Sequence, residues 1–173
     1  MDSFRDKLAR QLAAAFPALA AAADMPVLAL AGDQVLAVAR RLRDEFGFDM
    51  LSSVTAVDWP QRLPRFDVVW HFYSTRSFAR LRLKAQVGVE DPQVDSLLPL
   101  YGSAAFMERE CHEMFGIVFR GNPDLRPILM YEGFVGHPLR KDYAKTHEQP
   151  LVPYREQPPG ERRHQGHHYA ERQ

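Results

Sequence analysis

The chain has 173 residues, 46% of them hydrophobic, with 11 Phe and 6 Tyr, enough apolar surface for one main folded domain and too little length for two independent ones. Basic and acidic residues balance at 22 each, so general attraction to nucleic acid is disfavoured, although local patches remain open. Cys111 is the single cysteine, which excludes an internal disulfide framework and any four-cysteine zinc or iron–sulfur site supplied by this chain alone.

Phe4, Leu8, Leu12 and Phe16 recur at four-residue intervals and predict a first packing helix ended or bent at Pro17. Pro17, Asp24 and Pro26 interrupt the apolar stretch that a signal peptide would need. No uninterrupted run approaches the roughly 20 apolar residues that cross a bilayer. Val27 to Ala31 suits a short strand, and Gly32-Asp33 breaks it before a second helix over 34–45, whose stripe is Leu36, Ala39, Leu42 and Phe46.

Met50 to Asp58, rich in Ser, Val and Thr, predicts a strand closed by the turn Asp58-Trp59-Pro60. Residues 66–74 and 78–86 read as a hairpin. Phe66, Val68, Trp70 and Phe72 alternate with Asp67, Val69, His71 and Tyr73, while Leu81, Leu83 and Ala85 alternate with Arg80, Arg82 and Lys84. One face is apolar; the row Arg80, Arg82, Lys84 on the other is either solvated or set against an acidic partner. Asp91-Pro92 reads as a helix start leading into 93–100. A further helix is expected over 103–115, with Met107, Cys111, Met114 and Phe115 as its buried stripe, Gly116 as its end and Ile117 to Phe119 as one more strand.

These elements describe an α+β fold, a compact domain with a mainly antiparallel sheet packed by helices and followed by an extended C-terminal arm. Its divisions fall at 1–121 for the core, 122–149 for an extended docking segment and 150–173 for a Pro/His-rich tail. The segment after Gly121 is broken by Pro123, Pro127, Gly133, Gly136 and Pro138, yet Leu125, Ile128, Leu129, Met130, Tyr131, Phe134 and Leu139 are too apolar for a free linker. It needs a surface to lie on.

The charge of the chain concentrates on the helix carrying Glu108, Arg109, Glu110, His112 and Glu113. Arg109 with Glu113, and Glu108 with His112, are four apart and could pair across a turn. Glu110 reads as the carboxylate nearest the apolar stripe, to be met by Arg126 or Arg140 in a charge-paired clamp, with a catalytic acid as the alternative. His112-Glu113 does not complete the HExxH zinc pattern, because Gly116 stands where the second His should be. No glycine loop has nucleotide-binding spacing. His164, His167 and His168 could bind a transition metal, and a fortuitous histidine-rich tail is the simpler reading beside a specific metal-binding one. The run Gly136 to Tyr143, GHPLRKDY, suits an arm that either returns onto its own domain or inserts Leu139 into a partner while Arg140 and Lys141 meet carboxylates.

MERECHEMFGIVFRGNPDLRPIL at 107–129, followed by GHPLRKDY at 136–143, resembles the 30 kDa, or C-type, subunit family of respiratory complex I, the proton-pumping NADH:quinone oxidoreductase. The motif positions are Glu108, Arg109, Glu110, Phe115, Gly116 and Ile117, then Asp124, Leu125 and Arg126, then Gly136, His137, Pro138, Leu139, Arg140, Lys141 and Asp142, with Glu113 expected beside them among the interface residues. The chain departs from the family pattern at Phe106, His112, Asn122 and Pro127. The resemblance implies a non-catalytic, cofactor-free structural subunit of the peripheral arm, whose charged residues fix an interface. Its expected partners are the 49 kDa, or D-type, subunit and neighbouring iron–sulfur subunits, with iron–sulfur clusters, FMN and quinone held elsewhere in the complex. The expected location is peripheral, at the cytoplasmic face of the inner membrane. Alternatives are the equivalent subunit of a membrane-bound hydrogenase or ferredoxin-fed complex, or a small independent enzyme using Glu110 and His112.

Overall fold

A computed structural model describes residues 4–147 and 149; the Pro/His-rich tail over 150–173, with its histidines, lies outside the described residues. Three helices, α1 (Phe4–Ala15), α2 (Val35–Asp44) and α3 (Ala104–Phe115), accompany strands β1 (Leu19–Ala20), β2 (Val27–Leu30), β3 (Met50–Asp58), β4 (Phe66–Tyr73), β5 (Arg80–Val87), β6 (Gln93–Asp95) and β7 (Val118–Arg120). The main sheet has the order β1-β2-β5-β4-β3 and is antiparallel except where β2 runs parallel to β5, so the expected α+β class holds.

Strand alternation creates the core. Leu81, Leu83, Ala85 and Val87 of β5, Phe66, Val68, Trp70 and Phe72 of β4, and Leu51, Val54 and Ala56 of β3 are buried together on one face. There β3 packs against α3, and Ala39 and Leu42 of α2 join the same core. Each large side chain removed from water in this way contributes roughly 1.5–3 kcal/mol. Leu8, Leu12 and Phe16 bring the first helix onto this core, and Phe16 meets Phe46 with ring centroids 5.7 Å apart.

The helix expected over 93–100 does not form. Val94 is buried, and β6 pairs in parallel with β7. Tertiary partners take the amide protons a helix would have used: Ser96 N–H donates to the Arg120 carbonyl (2.9 Å) and Leu97 N–H to the Glu108 carboxylate (2.7 Å). The strand expected over 117–119 is present as β7, shifted by one residue.

Candidate functional site: the end of the third helix and the segment it holds

Helix α3 ends with carbonyls that have no partner inside the helix. The amide of Gly116, in the left-handed region at φ 75°, closes on His112 O at 2.7 Å. The next three are closed from the segment that follows β7. His137 Nδ1 donates to Glu113 O (2.9 Å), Leu139 N–H to Met114 O (3.2 Å) and Arg140 Nε to Phe115 O (2.6 Å). A cation and an imidazole thus sit at the negative end of the helix, where its dipole favours them. Gly116 is required twice over, by its backbone angle and because a Cβ there would stand 2.5 Å from His137 Nε2 and collide with the Arg140 guanidinium.

The two buried carboxylates of α3 are Glu108 and Glu113, and Glu110 is exposed. The expectation for Glu110 is corrected by helical phase: the buried stripe runs through Ala104, Glu108, Cys111 and Phe115, and Glu110 lies about 200° around the helix from Glu108. Glu108 accepts from Ser96 Oγ (2.7 Å), Leu97 N–H (2.7 Å) and Asn122 Nδ2 (2.9 Å). Burial pushes its carboxyl above the ordinary range in spite of these donors.

Glu113 accepts three successive backbone N–H groups, those of Ile128 (3.2 Å), Leu129 (2.9 Å) and Met130 (2.8 Å). Burial would raise its carboxyl, but those donors and the field of Arg109 together hold it below the ordinary value. Neither carboxylate takes Arg126 or Arg140 as partner in these contacts. Arg109 does not reach across the turn to Glu113; it donates to the carbonyls of Arg126 (2.9 Å) and Pro127 (3.0 Å) and approaches Asp124 at 3.7 Å. Arg126 pairs with Asp124, whose carboxyl it holds well below the usual range. The expected Glu108–His112 pair is likewise replaced, since Glu108 faces the core and His112 Nδ1 donates to Ile117 O at 2.9 Å.

Three residues outside the motifs complete the clasp. Asp58, at the end of β3, holds Arg65 in a two-pronged pair (2.6 and 2.7 Å) and accepts the Lys141 N–H at 2.7 Å. Arg65 in turn meets Asp142 at 2.8 Å, and its hydrogen bond keeps the Asp58 carboxyl low. The Arg140 guanidinium lies 5.2 Å from the centre of the Phe66 ring. Pro138 is half-buried between His137 and Leu139, and the Leu139 side chain is exposed. The contacts of Asp58 and Arg65 with the arm span 83 and 77 residues of chain, and such separations leave no periodic signal.

The chemistry of this site is fixation. Cys111 is buried, and burial pushes its thiol up, away from nucleophilic use. Among the described residues no group of three or more His, Cys, Asp or Glu could hold a metal ion, and no helix is long and apolar enough to cross a membrane.

The profile of the family described as "Respiratory-chain NADH dehydrogenase, 30 Kd subunit" matches residues 28–149. The C-type subunit of NADH-quinone oxidoreductase from Rhodobacter capsulatus is 50% identical over 109 residues, which are 62% of this chain and 54% of that one; the chain thus spans about half of that relative. The protein of the same name from Moorella thermoacetica is 39% identical over 145 residues, 83% of this chain and 95% of that one. Among solved structures, the trypsin-resistant fragment (1-134) of Nqo5 superposes with a TM-score of 0.58 at 27% identity, covering 70% of this chain and 98% of the fragment.

Proposed function

This chain belongs to the respiratory-chain NADH dehydrogenase 30 kDa subunit family, and on that premise we propose that it is a cofactor-free, non-catalytic subunit of the peripheral arm of a proton-pumping NADH:quinone oxidoreductase. It supports the quinone-reducing module by presenting residues 122–149 to its neighbours, a 49 kDa, or D-type, subunit and adjacent iron–sulfur subunits. Iron–sulfur clusters, FMN and quinone belong to those other chains. Residence at the cytoplasmic face of the inner membrane follows from the same partners.

The observation that carries this reading is the division of roles along the segment. Its backbone is fixed to α3, Asp58 and Arg65 by Glu113, His137, Leu139, Arg140 and Lys141. Leu125 and Met130 pack against the core, while other apolar side chains of the segment stay outward, with Leu129 60%, Val135 68% and Leu139 51% exposed. A rigid backbone that presents apolar side chains costs little ordering entropy on association, and this suits a docking element. Glu108, Arg109, Glu113, Phe115, Asp124, Arg126, Pro138 and Asp142 are its structural supports. An independent enzyme using Glu110 and His112 is the weaker reading, because one group is solvated and the other is bonded to a carbonyl.

Gentle purification of the native assembly, with identification of co-migrating chains and cofactors, is the test. Co-purification with iron–sulfur and flavin-containing chains is the expected result. A chain that stays monomeric across mild conditions overturns the reading.

A further inference from the structure

The sheet face opposite α3 carries a row that the clasp does not use. On β5, Arg80 stands opposite Tyr73, Arg82 opposite His71 and Lys84 opposite Val69 of β4. Arg82 is already satisfied: its guanidinium grips the Asp24 carboxylate with both terminal nitrogens, and its Nε donates to His71 Nε2 at 3.0 Å. Arg80 lies 6.0 Å from the centre of the Tyr73 ring, and neither it nor Lys84 has a carboxylate partner among the described residues. A cavity of about 420 Å³ opens beside Arg80, lined also by Met25, Met50, Ser53, His71 and Tyr73.

We propose that this face is a second docking surface, whose occupant is an extended acidic segment of a neighbouring chain with two carboxylates four positions apart seated on Arg80 and Lys84. Three features select that occupant. Asp24 shows a carboxylate seated on the middle member of the row. Residues four apart on a strand lie roughly 13 Å apart on the same face, so carboxylates four positions apart on an extended partner match the separation of Arg80 and Lys84. The cavity offers an adjacent place for one apolar side chain of the same segment. The chain's own residues 150–173 hold four Arg against three Glu, so they are not the acidic occupant. With the clasp on the α3 side of the sheet, the protein would stand between two neighbours. This inference rests on the assembly reading above.

The test is amine footprinting and zero-length cross-linking of the purified native assembly and of the full-length chain alone. Lys84 is expected to acetylate about tenfold more slowly in the assembly than alone, as a desolvated interface amine does, and carbodiimide is expected to join it to an Asp or Glu of a different chain. Lys84→Arg removes that cross-link and leaves the assembly intact. The double variant Arg80→Glu, Lys84→Glu loses the cross-linked neighbour while its thermal unfolding is unchanged. Equal acetylation of Lys84 in both states, with the other chains still co-purifying, overturns the second surface and spares the assembly reading. Protection of Lys84 in the isolated chain by vesicles of anionic phospholipid, with no cross-link in the assembly, overturns it in favour of a lipid surface. Failure of any other chain to co-purify is the failure of the assembly reading itself.

Discussion

Arg140 occupies the space that a side chain at Gly116 would need: its guanidinium folds over the left-handed glycine that ends α3 and donates to the Phe115 carbonyl at 2.6 Å. A helix terminus and a segment some 25 residues later are therefore one structural unit. The apolar texture and broken backbone of 122–149 are reconciled by this arrangement, since the helix supplies the acceptors that the irregular backbone and its side chains require.

Gly116→Ala should cost about 2 kcal/mol or more, because a Cβ at positive φ is strained and this one also displaces Arg140 and His137. Denaturant unfolding measures the loss, and limited proteolysis should show earlier cleavage within 122–149. Gly102→Ala, where a Cβ meets nothing within 4 Å, is the neutral control. Equal effects at the two glycines would contradict the close packing at the end of α3.

Glu113→Gln should destabilise by about 1–3 kcal/mol, because an amide nitrogen turned toward the three N–H groups of 128–130 leaves donors facing donors. Glu108→Gln should cost less, since burial already opposes the charge that Gln lacks and the Ser96 hydroxyl can turn to accept from the amide nitrogen. The pH signs are opposite. The lowered Glu113 carboxyl gives stability that is present above about pH 4.3 and lost as pH falls through its folded value, whereas the raised Glu108 carboxyl gives stability present below about pH 4.3 and lost as pH rises through its folded value. Stability measured against pH for the two variants should show each loss removed separately.

Asp58→Asn should cost about 3 kcal/mol, as it breaks a pair in which the Asp58 side chain is fully buried and leaves Arg65 undercompensated. Asp142→Ala, at a side chain 60% exposed, should cost under about 1 kcal/mol. Thermal melts of the two variants decide the order, and a larger loss at Asp142 would reject Asp58 as the anchor.

Burial, with Arg140 and His112 close by, sets the His137 imidazole below its ordinary value despite its bond to the Glu113 carbonyl. Its contribution to stability is therefore present above about pH 6.5 and lost as pH falls through its folded value. The protection of the amides across 136–143, taken relative to their intrinsic exchange rates, should fall between neutral and mildly acidic pH. NMR titration of His137 gives the direct check, and a value above about 6.5 would reverse the sign.

The hairpin of β4 and β5, the phases of the first two helices, the stop at Gly116 and the α+β class were all legible, because period-two and period-3.6 apolar patterns and a terminal glycine are local consequences of backbone geometry. The motif residues over 107–143 were legible through their family resemblance. Besides the expected Arg109–Glu113 and Glu108–His112 pairs, two local readings did not survive. Asp91-Pro92 has the chemistry of a helix start, yet Glu108 and Arg120 capture the amides that follow. Glu110 stands one turn before Met114, which placed it near the apolar stripe, yet it lies about 200° around the helix from the buried Glu108.

Apolar periodicity and backbone breakers were enough to mark most of the helical and extended segments, and to show that residues 122–149 need a surface. Which surface that is came from three-dimensional packing alone. The clasp joins α3, Asp58, Arg65 and the arm across separations of up to 83 residues, and hydrogen bonds to backbone carbonyls and amides leave no mark on residue type. The negative end of one helix, freed of side chains by a single glycine, is what turned a charged stretch into a fixed arm.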